Sequence, residues 1–174
     1  VSGAACPSCT TTASSDVPIT ITASGTPTIT STLTISGSGI INDVNVTSLI
    51  GTHSWINDLD VKLKSPAGTE IILFSDICLS QDNFNVAFDD SAASGTLPCP
   101  PVGGLTFQPA GSLAAFNGED ANGTWTLTIV DNANIDGGEL TGWSIEVCHD
   151  PPLSLTDYGI GVFAVYPNPN DGSF

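Results

Sequence analysis

The sequence predicts an all-β fold, a jelly-roll β-sandwich or barrel of about eight strands. Three observations lead there. Apolar and polar residues alternate along most of the chain, which is the period of a strand with one buried and one wet face. Thr, Val and Ile are plentiful while Met and Arg are absent, a composition that favours strands. The 18 glycines and 12 prolines recur at intervals suited to short strands joined by turns. A chain of 174 residues holds one well-cored domain with short appendages, because domains run ~100 to 200 residues. Those appendages read as a linker over 1–15, ahead of a domain over 16–149, and a second linker with a distinct tail over 150–174.

Taken in order, VSGAACPSCTTTASS is small and polar, with Cys6-Pro7-Ser8-Cys9 its single feature. Such a spacing supports redox catalysis when a helix N-terminus lowers the thiol pKa, and TTTASS promises no helix. Val17, Ile19 and Ile21 then alternate, as do Ile29, Leu33 and Ile35, with SGTPT as the turn between them. Ile40, Val44, Val46 and Ile50 continue in step. Next, Leu59, Val61 and Leu63 alternate with Asp58, Asp60, Lys62 and Lys64. Ser65-Pro66-Ala67-Gly68 follows as a turn, Pro fixing one φ and Gly free to take a positive one, before Ile71 to Phe74 runs back. The stretch from Asp76 to Asp90 reads as an acidic, aromatic-studded connection. Leu105 and Phe107 form a short apolar step, and Leu113 to Ala115 could make one helical turn. Two half-buried strands close the pattern: Trp125, Leu127 and Ile129, then Trp143, Ile145 and Val147, joined across DNANIDGGE. Pro151-Pro152 stops the sheet.

The charge balance narrows the partners. Charged residues are only 11% of the chain, the net charge is −16, and Lys62 and Lys64 are the only basic side chains apart from the histidines. Such a surface repels nucleic acid and anionic membrane, both of which need Lys and Arg to neutralise phosphate. No uncharged apolar run of about 18 residues is present, so no helix is expected to insert in a membrane. Five cysteines in an acidic β-rich chain favour an oxidising, extracytoplasmic setting. The start at Val1, without a signal peptide, reads as a processed protein or an excised piece.

Four separate stretches carry a family likeness: HSWINDLDVKLKSPAGTEIIL, DNFNVAFDD, LAAFNGEDANGTWTLTIVDNA and GELTGWSIEV. Arriving in that order over residues 17 to 148, they resemble the P domain, or P/Homo B domain, of proprotein-convertase-type subtilisin-like proteases in its bacterial form. The resemblance implies a galactose-binding-domain-like jelly roll, placed C-terminal to a protease catalytic domain of the same precursor and supporting that neighbour's folding, stability or handling of protein substrate. It also implies a secreted or cell-surface bacterial protein. The tail FAVYPNPNDGSF resembles the opening of a type IX secretion sorting signal.

The residues themselves offer no catalytic set. His53 and His149 are the only histidines, and Ser54, next to His53 in a strand, would point to the opposite face. Carboxylates in loops rich in carbonyls suit a structural Ca2+, which takes six to eight oxygens in flexible geometry. The first donor group is Asp82, Asn83, Asp89 and Asp90, with Asp58 joining if the hairpin start folds over it and Asp76 as a further candidate. The second is Asp131, Asn132 and Asp136 in one interstrand loop. Both groups have an alternative use, capping turns through the local backbone. Cys78 and Cys99 flank the acidic connection, and a bridge there would constrain the unfolded chain by ~3 kcal/mol. Cys148 falls on the opposite strand face from Trp143, Ile145 and Val147, available to pair with Cys6 or Cys9 of the N-terminal segment; Cys9 is the preferred partner, which leaves Cys6 over. The rival reading is a carbohydrate-binding or adhesive module, for which Trp55 and Tyr158 are the available aromatics.

Overall fold

Inward alternation sets most strands of the computed structural model, which describes residues 8–37, 39–93, 95 and 97–149. Among the described residues ten strands form in chain order: β1 (Ser8–Ala13), β2 (Ile19–Ile21), β3 (Thr28–Ile35), β4 (Ile41–His53), β5 (Leu59–Lys64), β6 (Glu70–Ser75), β7 (Phe84–Phe88), β8 (Leu105–Phe107), β9 (Gly123–Asp131) and β10 (Gly138–His149). They pair into two sheets that pack as a sandwich. One runs β1-β10-β4-β7-β8, with β2 also on β10, and the other runs β3-β9-β5-β6. All the pairings are antiparallel except β7 with β8.

Side chains from both inner faces fill the space between the sheets. Trp125, Leu127 and Ile129 of β9 meet Val44, Val46 and Leu49 of β4 in one buried cluster with Trp143, Ile145 and Val147 of β10. Phe74 lies edge-on to Phe84 with ring centroids 5.9 Å apart, and Phe116 lies edge-on to Trp125 at 5.1 Å. Each buried indole also satisfies its N–H. Trp125 Nε1 donates to the Ala121 carbonyl at 3.1 Å, and Trp143 Nε1 donates to Ser31 Oγ at 2.6 Å. An indole left unpaired in so dry a place would cost about 1–3 kcal/mol.

Two segments differ from their sequence-based expectation. Ser8–Ala13, read as linker, forms β1 in register with β10 from Ser8↔His149 to Ala13↔Ser144. Hydrophobic alternation could not reveal it, because β1 buries no apolar side chain and is held by backbone ladder bonds. Phe84–Phe88, read as part of an acidic connection, is strand β7, with Phe84, Val86 and Phe88 all buried. Its alternation was present in the sequence but masked by the four aspartates around it. These two account for the rise from about eight strands to ten. The turn after β5 forms as its residues require: Ser65 N donates to the Thr69 carbonyl, and Gly68 sits at φ 101°. The helical turn near Leu113 is a 3-10 helix over Leu113–Phe116.

A glycine sets how closely three strands converge. Gly138 pairs with Ile21 of β2 on one side and His53 of β4 on the other. A Cβ built on it would fall 1.9 Å from the Thr52 carbonyl oxygen, so no other residue fits. That convergence holds the end of β4, and with it His53, against the loop between β9 and β10.

Candidate functional site

At the end of the sandwich where β4, β9 and β10 meet, several titratable side chains lie close together. His53 is the last residue of β4 and Asp131 the last of β9, and both face inward, 1% and 0% exposed. His53 Nε2 lies 3.3 Å from Asp131 Oδ2. Its other ring nitrogen, Nδ1, lies 2.9 Å from the Trp55 carbonyl and 3.2 Å from the Trp55 backbone N–H. The remaining Asp131 oxygen accepts the Ala133 N–H at 3.1 Å. Every polar atom of the pair is therefore spoken for, as a dry interior demands.

Around that pair stand partly exposed carboxylates. Asp58 ends the short 3-10 helix Ile56–Asp58 that enters β5. Burial raises its pKa, and the nearby charges of Asp131 and Asp136 raise it further, while His53 works in the opposite sense. The Asp58 carbonyl accepts the Asn132 N–H at 2.8 Å. Asp136 Oδ1 accepts the Ser54 hydroxyl at 2.9 Å. Asp60 is held below its ordinary value by hydrogen bonds from Ser75 and from Asn132 Nδ2.

The first expected donor group does not converge. Asp82 and Asn83 precede β7, while Asp89 and Asp90 follow it. At about 3.4 Å per residue the two ends of that strand are on the order of 20 Å apart, too far for one ion. Asn83 instead serves β4, its N–H donating to the His53 carbonyl at 3.0 Å. Asp89 Oδ1 accepts the Ser91 N–H at 2.6 Å. Asp90 caps the Leu113–Phe116 turn, accepting from Ser112 Oγ at 2.6 Å, Leu113 N at 3.0 Å and Ala114 N at 2.8 Å. Burial pushes the Asp90 pKa up, but those three hydrogen bonds outweigh it and bring the carboxyl below its ordinary value. Asp76 accepts from Ser75 at 3.2 Å. Asp58 stands with the second group, beside Asp131 and Asp136.

The donor set at this end is entirely oxygen, the chemistry of a hard cation. Among the described residues, three ligating atoms of His, Cys, Asp or Glu come within 4.8 Å of one another only at Cys9, Glu146 and Cys148. The two sulfurs there are joined to each other, so that group is a disulfide and not a metal cradle. Asp58, Asp131 and Asp136 are looser than that, and an ion among them would need backbone carbonyls and water to fill its shell.

Among the described residues, no nucleophile at this site is set against a base. Ser54 is exposed, with its hydroxyl turned to Asp136, while the His53 ring is buried on the other side of the strand. A general base must reach the proton it removes, and His53 is closed in by Trp55 and Asp131. Disulfides join Cys78 to Cys99 and Cys9 to Cys148. Trp125 and Trp143 are core residues, Trp55 is 41% exposed, and Tyr158 lies outside the described residues. The His53–Asp131 partnership was missed from the sequence because 78 positions separate the two.

Comparison with known proteins places these observations. The fold resembles Aeromonas sobria serine protease in complex with its chaperone, at 22% identity and a TM-score of 0.54, over 83% of this chain and 28% of that one. It resembles the same organism's serine protease in a second structure at 22% identity and a TM-score of 0.51, over 82% of this chain and 27% of that one. The chain thus spans less than a third of the length of those proteases. No curated protein matches it in sequence. The model of the proprotein convertase P-domain matches residues 41–147, from the first residue of β4 to within two of the end of β10. That match takes in His53, Asp58, Asp131 and Asp136 and more than half of the sequence, and the chain belongs to the proprotein convertase P-domain family.

Proposed function

We propose that the chain is the non-catalytic accessory domain of a secreted, bacterial subtilisin-like serine protease, standing after the catalytic domain of the same precursor and supporting its folding and stability. The observation that carries this reading is the family match over residues 41–147, coupled with a histidine that is buried against a carboxylate and closed off from solvent. Two experiments test it. The coding sequence ahead of Val1 is expected to encode a subtilisin-like domain with its own Ser, His and Asp. The isolated chain is expected to leave casein uncut. An upstream sequence without any hydrolase, or cleavage by the chain itself, contradicts the reading.

Two finer elements belong to the same proposal. A structural Ca2+ binds at Asp58 and Asp136 beside the buried Asp131, supported by the burial and the repulsion from Asp131 and Asp136 that raise the Asp58 pKa and by the all-oxygen donors. When bound, the ion supplies positive charge that relieves that repulsion. The tail from Val165 to Phe174, outside the described residues, opens a type IX sorting signal. Its test is whether fusing residues 150–174 and the sequence that follows them to a periplasmic reporter carries the reporter to the cell surface.

A further inference from the structure

Three side chains on one sheet carry ligating atoms within 4.8 Å of one another: the Cys9 and Cys148 sulfurs and a Glu146 carboxylate oxygen. Strand geometry puts them there. Cys9 of β1 stands directly opposite Cys148 of β10, and Glu146 lies two residues back along β10, on the Cys148 face. On the other side of β10, Asp43 of β4 is the direct partner of Cys148, and Asn45 that of Glu146. Asp43 is exposed, and its Oδ2 accepts Asn45 Nδ2 at 2.9 Å. Directly opposed residues have Cβ atoms about 4.5–5.5 Å apart, so the Asp43 carboxylate is within reach of the Cys148 sulfur. In the bridged protein the two sulfurs are bonded to each other and offer no thiolate. Every chain is made with its cysteines as thiols, however, and in that state both sulfurs are ligands.

We propose that, before the bridge forms, Cys9, Cys148, Glu146 and Asp43 hold a Zn2+ ion that staples β1 to β10. Two thiolates with two carboxylates are a donor set for zinc, whereas Ca2+ takes oxygen alone. Tetrahedral zinc bonds thiolate at ~2.3 Å and carboxylate at ~2.0–2.2 Å, which sets neighbouring donors roughly 3.3–3.8 Å apart. The Glu146 oxygen already lies within 4.8 Å of both sulfurs, so binding asks chiefly that the two sulfurs turn apart. β1 is in need of a staple. It is the edge of its sheet, and along Ser8–Ala13 only Thr12 is even half-buried, so little but ladder bonds holds it. Binding releases the two thiol protons to water. When a disulfide oxidant arrives, two electrons pass to it from the thiolates. The Cys9–Cys148 bond forms, the oxidant's S–S bond breaks to give two thiols with two protons from water, and the ion leaves. The ion thus keeps the edge strand in register until the covalent staple replaces it.

The full chain carrying Cys6→Ser, reduced with a phosphine under argon and titrated with Co2+ and then Zn2+, tests this. Expected are a thiolate-to-cobalt charge-transfer band and the ligand-field bands of tetrahedral Co2+, both abolished by Zn2+. Zn2+ is also expected to slow hydrogen exchange across Ser8–Ala13. Glu146→Gln should weaken Zn2+ binding on the order of tenfold or more, since even outer-shell partners of a metal are worth ~10–100-fold. Cys9→Ser, at an exposed position of the edge strand, should remove the bands. Bands undiminished in Cys9→Ser place the ion on other cysteines and overturn the proposal, as does exchange across Ser8–Ala13 that Zn2+ leaves unchanged.

Discussion

His53 Nε2 stands 3.3 Å from Asp131 Oδ2 across the gap between the two sheets, with both side chains shut off from solvent. The contact ties the end of β4 to the end of β9 and fixes the frame from which Asp58 and Asp136 project. A His beside an Asp invites a catalytic reading, and burial turns it into a structural one.

Replacing His53 with Ala leaves a buried Asp131 oxygen without its partner. We expect a loss of about 2–3 kcal/mol, the cost of a dry unpaired acceptor. Urea unfolding reads it as a lower midpoint at unchanged slope. An unaltered midpoint means the pair contributes nothing.

Asp90 gives the acid side of the stability curve. Its folded pKa lies below the ordinary carboxylate value because the Ser112, Ala114 and Leu113 hydrogen bonds outweigh burial. A depressed carboxylate contributes stability that is complete above its unfolded pKa of ~3.9 and is lost as pH falls through the folded value. Asp90→Ala is expected to cost about 1 kcal/mol near neutrality, as loss of a cap does. The variant should also lose less stability than the parent below about pH 4. Parallel acid profiles for the two proteins rule the cap out as the source.

Asp58 has the opposite sign. Burial and the charges of Asp131 and Asp136 raise its pKa, so its ionised form opposes folding at neutral pH. In chelator, Asp58→Asn is expected to match or slightly exceed the parent in melting temperature. With Ca2+ at a hundred times its Kd the parent should gain about 2.7 kcal/mol and the variant much less. Identical melting of the parent in calcium and in chelator removes the ion from the account.

Gly138 tests the convergence of β2, β4 and β10. Its Cβ would meet the Thr52 carbonyl at 1.9 Å, whereas one on Gly142 of the same strand meets nothing within 4 Å. Gly138→Ala is expected to cost about 3 kcal/mol or more by overpacking, and Gly142→Ala far less. Equal melting temperatures for the two variants contradict the packing argument.

Strands with an apolar inward face were legible wherever burial imposed alternation, as along Trp125, Leu127 and Ile129. β1 was not, because a strand held by backbone bonds leaves no hydrophobic trace. β7 was hidden by charge, since Asp82, Asp89 and Asp90 bracket an alternation only five residues long. The candidate site was half legible. Asp131 and Asp136 share a loop and could be grouped by proximity in sequence, but Asp58 reaches them only through the pairing of β5 with β9. His53 was visible as a residue and invisible as a partner, because nothing local encodes a contact across the sandwich.

The central claim is that this sandwich serves a protease it does not itself contain. The measurement that tests it most directly is the yield of active, folded peptidase secreted from the full precursor, compared with a precursor lacking residues 8–149. The account predicts that the deletion sharply lowers both the yield and the thermal stability of the catalytic domain. A deleted precursor that gives equally abundant and equally stable peptidase would contradict it.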